Sequence, residues 1–530
     1  MLVGIFRGIC SFMVFVFFLN GSVIVFATDY YIDSNNGDDE NDGTSPNSPW
    51  KTLSKVSSMT FQPGDNIYFK RGTMYSGCAV IKGDGTKNNP ITVSAYGSGD
   101  SPKFTNPNYN DHNGNAMQIR GDYIIVENLY FHHTAPAPHE PTYEEVWSVG
   151  ALHVSLGSDH VIIRNNEFAN IPKAIQSYSE YSLITNNYIH DNNNTQDNGF
   201  LGYPGWGPIG IQLGIGNQEV CYNVIENMYV AGGRWGADGG AIEIDDGRNH
   251  KNNIYIHHNI TYHNMGFLEV SYWYDIKKMS SSNVIISYNV VRDYQTFLLW
   301  WAPTSNSIVR NNTVIRADNP NTPQGPWKGV FVLDDSTEIN ITKNIIVVDN
   351  NLKEKVFFDG EYGGGRFYVT HINNCYWNVD GGEVDLGVSW GTGEIEADPL
   401  FVDYANKDYH LQPNTPCPDW GAYPLLTGGF KGGNTRPEEF ELRQNYPNPF
   451  NSSTTITFGI PVRATVQISI YNMLGQIVSY MDYKNLSPGI YSYTWDSRSI
   501  GGILAPSGVY FCELTSGNRF KDVKKMILLR

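Results

Sequence analysis

Along the middle of the chain one short pattern recurs: a β-branched apolar run followed by asparagine. The runs are IIVEN ending at Asn128, VIIRNN at Asn166, LITNN at Asn187, VCYN at Asn223, IYIHHN at Asn259, VIISYN at Asn289, SIVRNN at Asn312, NITKN at Asn344 and HINN at Asn374. Their spacings are 38, 21, 36, 36, 30, 23, 32 and 30 residues, so the unit is slightly over twenty residues, with insertions in the longer intervals. Strand-like runs at this period, without an amphipathic helical pattern, predict an all-β solenoid. Each coil would lay its strands on the previous coil about 4.8 Å away. One coil cannot bury its own apolar face, so many must stack. The asparagines fall at an equivalent turn and predict a ladder of side-chain hydrogen bonds along the stack.

A second column precedes the first. The strands ALHVS, AIQSY, GIQLG, AIEID, FLEVS and FLLWW align, and in the first five a polar residue sits between apolar ones: His153, Gln176, Gln212, Glu243 and Glu269. Gln118, in AMQIR, extends the line at its start. Period-two alternation turns the flanking residues inward and the middle one outward, which predicts a polar stripe down one outer face.

The ends of the chain follow other patterns. Residues 1–27 carry Arg7, an apolar stretch through Phe12–Leu19 and small residues at Val25 and Ala27, the pattern of a signal peptide. No later segment is apolar enough to span a bilayer, so no membrane span is expected after signal removal. Residues 428–437 (GGFKGGNTRP) form a Gly-rich linker, and beyond them apolar and polar residues alternate between turn clusters. That pattern predicts a small antiparallel β-sandwich of immunoglobulin-like form over 438–530. The body is then 28–427.

Charge and cysteines narrow the partners. The chain carries −17, whereas the part from Pro437 onward holds nine basic and seven acidic residues, so the body is near −20. An acidic body argues against nucleic acid, which needs a basic face. Outside the signal, Cys78, Cys221, Cys375, Cys417 and Cys512 form an odd, scattered set without a Cys-x-x-Cys spacing, so stability rests on packing. A Cys375–Cys417 bridge is left open.

The segments YYIDSNNGDDENDGTSPNSPWKTLSKV, FQPGDNIYFKRGTMYSG and NPITVSAYG resemble the opening of extracellular right-handed parallel β-helix proteins of the pectate-lyase-like superfamily. ADPLFVDYANKDYHLQPNTPCPDWGAY resembles their closing segment. The resemblance spans about Asp29 to Tyr423 and implies the fold, with residues 49–59 as a capping helix; many members degrade polysaccharides, but it names no substrate. NYPNPFN, YNMLGQ and the terminal KKMILLR resemble the C-terminal sorting domain of type IX secretion substrates. This implies the type IX machinery as a partner and a secreted or surface-attached protein.

The stripe carries the candidate chemistry. On successive coils Glu243 and Glu269 would have backbones about 4.8 Å apart, near the 5–5.5 Å carboxyl separation of retaining glycosidases. Asp245, two residues along from Glu243, offers the wider spacing of inverting enzymes. Glu269 as acid/base with Glu243 as nucleophile, or the reverse, would cut a polysaccharide without any cofactor. His153, Gln176 and Gln212 would bind hydroxyls, and Trp235, Trp273, Trp300 and Trp301 would stack on sugar faces. The Asn-Thr-Asp, Gly-His-Gly and Arg-Ile-Lys segments of polygalacturonases are missing, which points away from pectin. A lyase would instead need a Lys or Arg base, with Lys173, Arg234, Arg248, Lys277 and Lys278 near the stripe, and calcium. A non-catalytic surface adhesin or carbohydrate-binding protein would use the same stripe for binding alone, and under each reading a monomer is expected. No metal site is read; Asp38, Asp39 and Asp42 belong to the shared opening segment and lack an EF-hand pattern.

Overall fold

The computed structural model describes residues 27–529, apart from 109, 136–149, 193–206, 231–238, 246–249, 272–279, 317–328, 334–336, 351–354, 360–368, 413, 424–436, 438, 452, 474, 487, 496, 499–504 and 518–519. The stretches read as signal peptide and linker thus lie almost wholly outside the described residues. No described helix is long and apolar enough to cross a membrane.

Among the described residues the body is three sheets of parallel strands, of twelve, ten and twelve strands. Apart from the first pair of the first sheet and the last pair of the third, neighbours lie three strands apart in the chain, so every full coil adds one strand to all three. The first sheet runs from Asp29–Ile32 to Thr370–Ile372, the second from Ala79–Lys82 to Phe357–Asp359, and the third from Met74–Ser76 to Ile395–Glu396. Inward residues of successive coils stack. Phe104, Phe131 and Phe168 follow one another at centroid distances of 5.5 and 4.8 Å, and Phe331 meets Phe357 at 4.8 Å. This is the burial that a single coil could not achieve. The opening end is covered by a short helix, Leu53–Ser58, capped by Thr52 and burying Leu53 and Val56. Asp39 holds that cap by accepting from Thr52 Oγ1 at 2.6 Å, while Asp38 and Asp42 accept from the backbone of their own turns.

From the first sheet to the third the chain turns in two residues. The first of the pair adopts a left-handed conformation whatever its type: Asn165, Asn186, Tyr222, His258, Tyr288, Asn311, Lys343 and Asn373 have φ of 53–57°. The second is the ladder asparagine. The rungs run from Asn166 through Asn187, Asn223, Asn259, Asn289, Asn312 and Asn344 to Asn374, and from Asn187 onward each side-chain oxygen accepts from both the backbone and the side-chain amide of the preceding rung at 2.9–3.2 Å. Asn128 is not a rung. It occupies the left-handed position with φ 63°, and Leu129 stands at the ladder position, donating its N–H to Asn166 Oδ1. The run IIVEN is therefore one residue out of step with the later ones.

After the coils, an antiparallel pair, Phe401–Asp403 with Asp408–Leu411, begins a closing segment that packs outside the third sheet. Beyond residue 437, two antiparallel sheets of three and four strands share one core around Ile456, Phe458, Ile468 and Trp495. They form the expected sandwich.

Candidate functional site

The longest intervals between strands have a regular place in the sequence. They lie between the third-sheet and second-sheet strands (residues 135–151, 191–208, 227–239 and 316–330) and again after the second-sheet strands (245–250 and 271–280). In sequence the second-sheet strands thus border the long insertions, the kind of segment that usually carries function.

On that sheet Leu152, Ile175, Ile211, Ile242, Leu268 and Leu298 pair coil to coil and point into the core. The next residue of each strand points outward. Gln118, His153, Gln176, Gln212, Glu243 and Glu269 therefore form one file, each paired with the next in register. Val80 precedes the file and Leu299 follows it. Six rungs at strand spacing make a polar track of about 24 Å, closed by apolar residues at both ends.

The file has two parts. Its upstream groups are sheltered and tied to one another: His153 is 8 % exposed, Gln176 0 % and Gln212 2 %. His153 Nδ1 lies 2.8 Å from Gln176 Oε1, Gln176 Nε2 donates to Gln212 Oε1 at 2.7 Å, and Lys173 Nζ donates to the same oxygen at 2.6 Å. Arg120 anchors the start by donating to Gln118 Oε1 at 2.8 Å. Burial pushes the His153 imidazole down to about 4, the Lys173 and Arg120 charges add to this, and the Gln176 bond opposes it. His153 is thus a neutral hydrogen-bonding group at ordinary pH. The downstream groups, Glu243 and Glu269, are half-buried, stacked directly across adjacent strands.

A parallel file runs two residues along. Tyr178, Gly214, Asp245, Ser271 and Trp301 each donate the backbone N–H to the coil before. Asp245 is largely buried there, and Trp301 is half-buried. The Tyr178 ring lies over Gly214, where an added Cβ would sit 2.2 Å from Cε1. Tyr178 had not been singled out in the sequence, although it ends the aligned strand AIQSY; what marks it is the glycine that follows it one coil later.

Trp300 requires a correction. It pairs with Val270 and Leu333 and is fully buried in the core, so it cannot stack on a sugar. Leu299, not Trp300, continues the outward file, because Glu269 pairs with Leu299. Trp235 and Trp273 lie outside the described residues, as do Arg234, Arg248, Lys277 and Lys278.

A separate cluster lies on the first sheet. Donor atoms of Glu219, Cys221 and His257 come within 4.8 Å of one another, a mixed set that suits a borderline-soft ion such as zinc. Glu219 and His257 already satisfy each other at 3.0 Å, and the Cys221 thiol reaches Thr185 Oγ1 at 3.4 Å. Burial works against the Glu219 charge, but the His257 bond outweighs it and holds the carboxyl below its ordinary range. Aligning the ladder rungs Asn223 and Asn259 puts Cys221 and His257 in one column, which is the signal that could have revealed the cluster.

Comparison with known proteins agrees with this architecture. Residues 205–376 match the right-handed β-helix region model, residues 361–422 a disaggregatase-related model, and residues 444–529 the secretion system C-terminal sorting domain. The lacto-N-biosidase of Bifidobacterium longum subsp. longum is 41 % identical over 80 residues, which is 14 % of this chain and 5 % of that protein. The chain therefore matches only a small part of that curated relative's length. Among solved structures, the GH136 lacto-N-biosidase from Eubacterium ramulus is 15 % identical, with 69 % of this chain and 67 % of that one covered and a TM-score of 0.40. The alginate lyase from Paenibacillus sp. str. FPU-7 is also 15 % identical, with 65 % of this chain and 94 % of that one covered and a TM-score of 0.36. The stacked coils, the shared two-sheet core at the C-terminus and the two matched models make this chain a right-handed parallel β-helix followed by a type IX sorting domain, which marks it for export across the outer membrane.

Proposed function

We propose that this protein is an exported carbohydrate-active enzyme, a glycoside hydrolase that cuts a polysaccharide with Glu243 and Glu269. The observation that carries this is the register Glu243 to Glu269, two carboxylates on adjacent strands at one end of a polar track about 24 Å long. Adjacent strands support carboxyl groups about 5 Å apart, the retaining arrangement, in which one carboxylate attacks the anomeric carbon and the other protonates the departing oxygen. Their neighbours differ. Glu269 stands beside Leu299, while Glu243 stands beside Gln212, whose oxygen accepts from Lys173 Nζ. Asp245 would orient a hydroxyl, or serve as the partner base of an inverting reaction. The short likeness to a lacto-N-biosidase is in keeping with a carbohydrate substrate. Lys173 makes a poor lyase base, since it is fully buried and committed to Gln212.

The test is product analysis of the purified chain on a panel of neutral and uronate polysaccharides, following both reducing ends and the absorbance of unsaturated uronates. New reducing ends without that absorbance, lost in Glu243→Gln and Glu269→Gln, are expected. Unsaturated products would replace the hydrolase with a lyase, and binding without any product would leave an adhesin.

A further inference from the structure

At the closing end of the solenoid the fold brings together two thiols that the polar track does not use. Cys375 opens the strand Cys375–Asn378, and Cys417 follows 42 residues later in the closing segment. Both are fully buried in one small apolar cluster with Ile345, Val347, Phe401 and Tyr409. Each thiol is the first influence on the other's proton affinity, Cys417 raising that of Cys375 and Cys375 lowering that of Cys417. Both are also anchored on the same short stretch of backbone. Cys375 Sγ reaches Ala397 O at 3.3 Å; Cys417 Sγ lies 3.3 Å from Thr415 Oγ1, whose hydroxyl donates to Pro399 O at 2.7 Å.

The position gives the pair a purpose. From this point the closing segment runs back over earlier coils, with Asn311 Nδ2 donating to Asp419 O, Gly421 N to Lys343 O and Ala422 N to Thr313 Oγ1, at 2.7–2.9 Å. These contacts are non-covalent, and among the described residues both cysteines are free thiols. The segment lies against the outside of the third sheet, so its hold on the coils gains from a fastening there. Export takes the chain out of the reducing cytoplasm into compartments where disulfides form and persist.

We propose that Cys375 and Cys417 are joined by a disulfide in the exported protein, stapling the closing segment to the last coils of the solenoid. Two S–H bonds are lost and one S–S bond forms. The two electrons and two protons pass to the disulfide of a thiol oxidoreductase, which leaves as a dithiol. Cys221, which touches Thr185 and Glu219 instead, stays a thiol.

The test uses the full chain collected after export without reductant, then denatured, alkylated and digested for mass spectrometry. The peptides carrying Cys375 and Cys417 are expected to travel as one linked species, with neither cysteine alkylated, and to separate on reduction. Alkylation of both without prior reduction would overturn the proposal. Thermal melting gives a second readout: reductant should lower the midpoint of the natural chain by several degrees and leave a Cys375→Ala, Cys417→Ala variant unmoved. An equal response of the two chains would count against the bond.

Discussion

Glu394 Oε1 accepts a hydrogen bond from Asn374 Nδ2 at 2.8 Å, so the side-chain ladder ends on a carboxylate and not on another amide. The same fully buried carboxylate accepts from Tyr376 Oη at 2.8 Å, Gly391 N at 2.8 Å and His371 Nδ1 at 3.0 Å. Burial alone would raise its pKa, but these bonds outweigh burial and hold it below the ordinary value. Glu394→Ala should cost about 3 kcal/mol by leaving several donors unmet. A depressed carboxylate contributes stability above its unfolded pKa and loses it as pH falls through the folded value. The difference in melting temperature between the two chains should therefore shrink as the pH is lowered from 6 towards 3.

The ladder predicts a contrast between two asparagines. Asn259→Ala removes an acceptor used by Asn223 N and Nδ2 and a donor used by Val220 O, all buried. It should cost about 3 kcal/mol. Asn128→Gly keeps a left-handed residue at φ 63° and loses one partly buried bond to Ser94 Oγ, so it should cost under about 1 kcal/mol. Denaturant melts of the two variants check this directly.

Asp293 supports a second, shorter ladder by accepting from Asn264 N at 3.0 Å and Nδ2 at 2.8 Å, and from Thr261 Oγ1 at 2.8 Å. Burial raises its pKa to about 6 despite these bonds. Below about pH 4 both folded and unfolded chains carry the proton, and the stability is present; between about 4 and 6 the unfolded chain ionises first and stability falls. The full swing is about 3 kcal/mol. Asp293→Asn removes the titration, so its melting temperature should gain on that of the natural chain as the pH rises from 4 to 7.

Adjacent tryptophans should behave oppositely. Trp300→Ala empties a core position and should cost about 3–5 kcal/mol. Trp301→Ala, on the half-buried parallel file two residues along, should cost about 1 kcal/mol while weakening polysaccharide retention in affinity electrophoresis.

The carboxylate pair should separate chemistry from folding. Glu243→Gln and Glu269→Gln should each lower kcat by about 10²–10⁴, with melting temperatures within a few degrees of the natural chain.

Much of this was legible in the residues themselves. The coil period, the rungs from Asn166 to Asn374 and the register joining His153 to Glu269 all follow from local rules: side chains alternate along a strand, and a repeated turn repeats its hydrogen bonds. The same alternation, carried from FLEVS to FLLWW, aligns Trp300 with the inward Val270, so that residue was misassigned against its own pattern.

Other features depend on distances between parts of the chain that no local rule relates. Whether an outward glutamine is wet or sealed depends on what packs over its sheet; Gln176 and Gln212 are sealed, while the glutamates next to them are half-buried. That Glu394 would cap the ladder, that Glu219, Cys221 and His257 would gather, and that Cys375 would meet Cys417 across 42 residues are matters of how coils stack and how the closing segment returns. Sequence determined the strand faces because alternation is a property of one strand. Tertiary structure alone decided burial and the meeting of distant groups, because both are set by the surfaces that surround a residue and not by its neighbours in the chain.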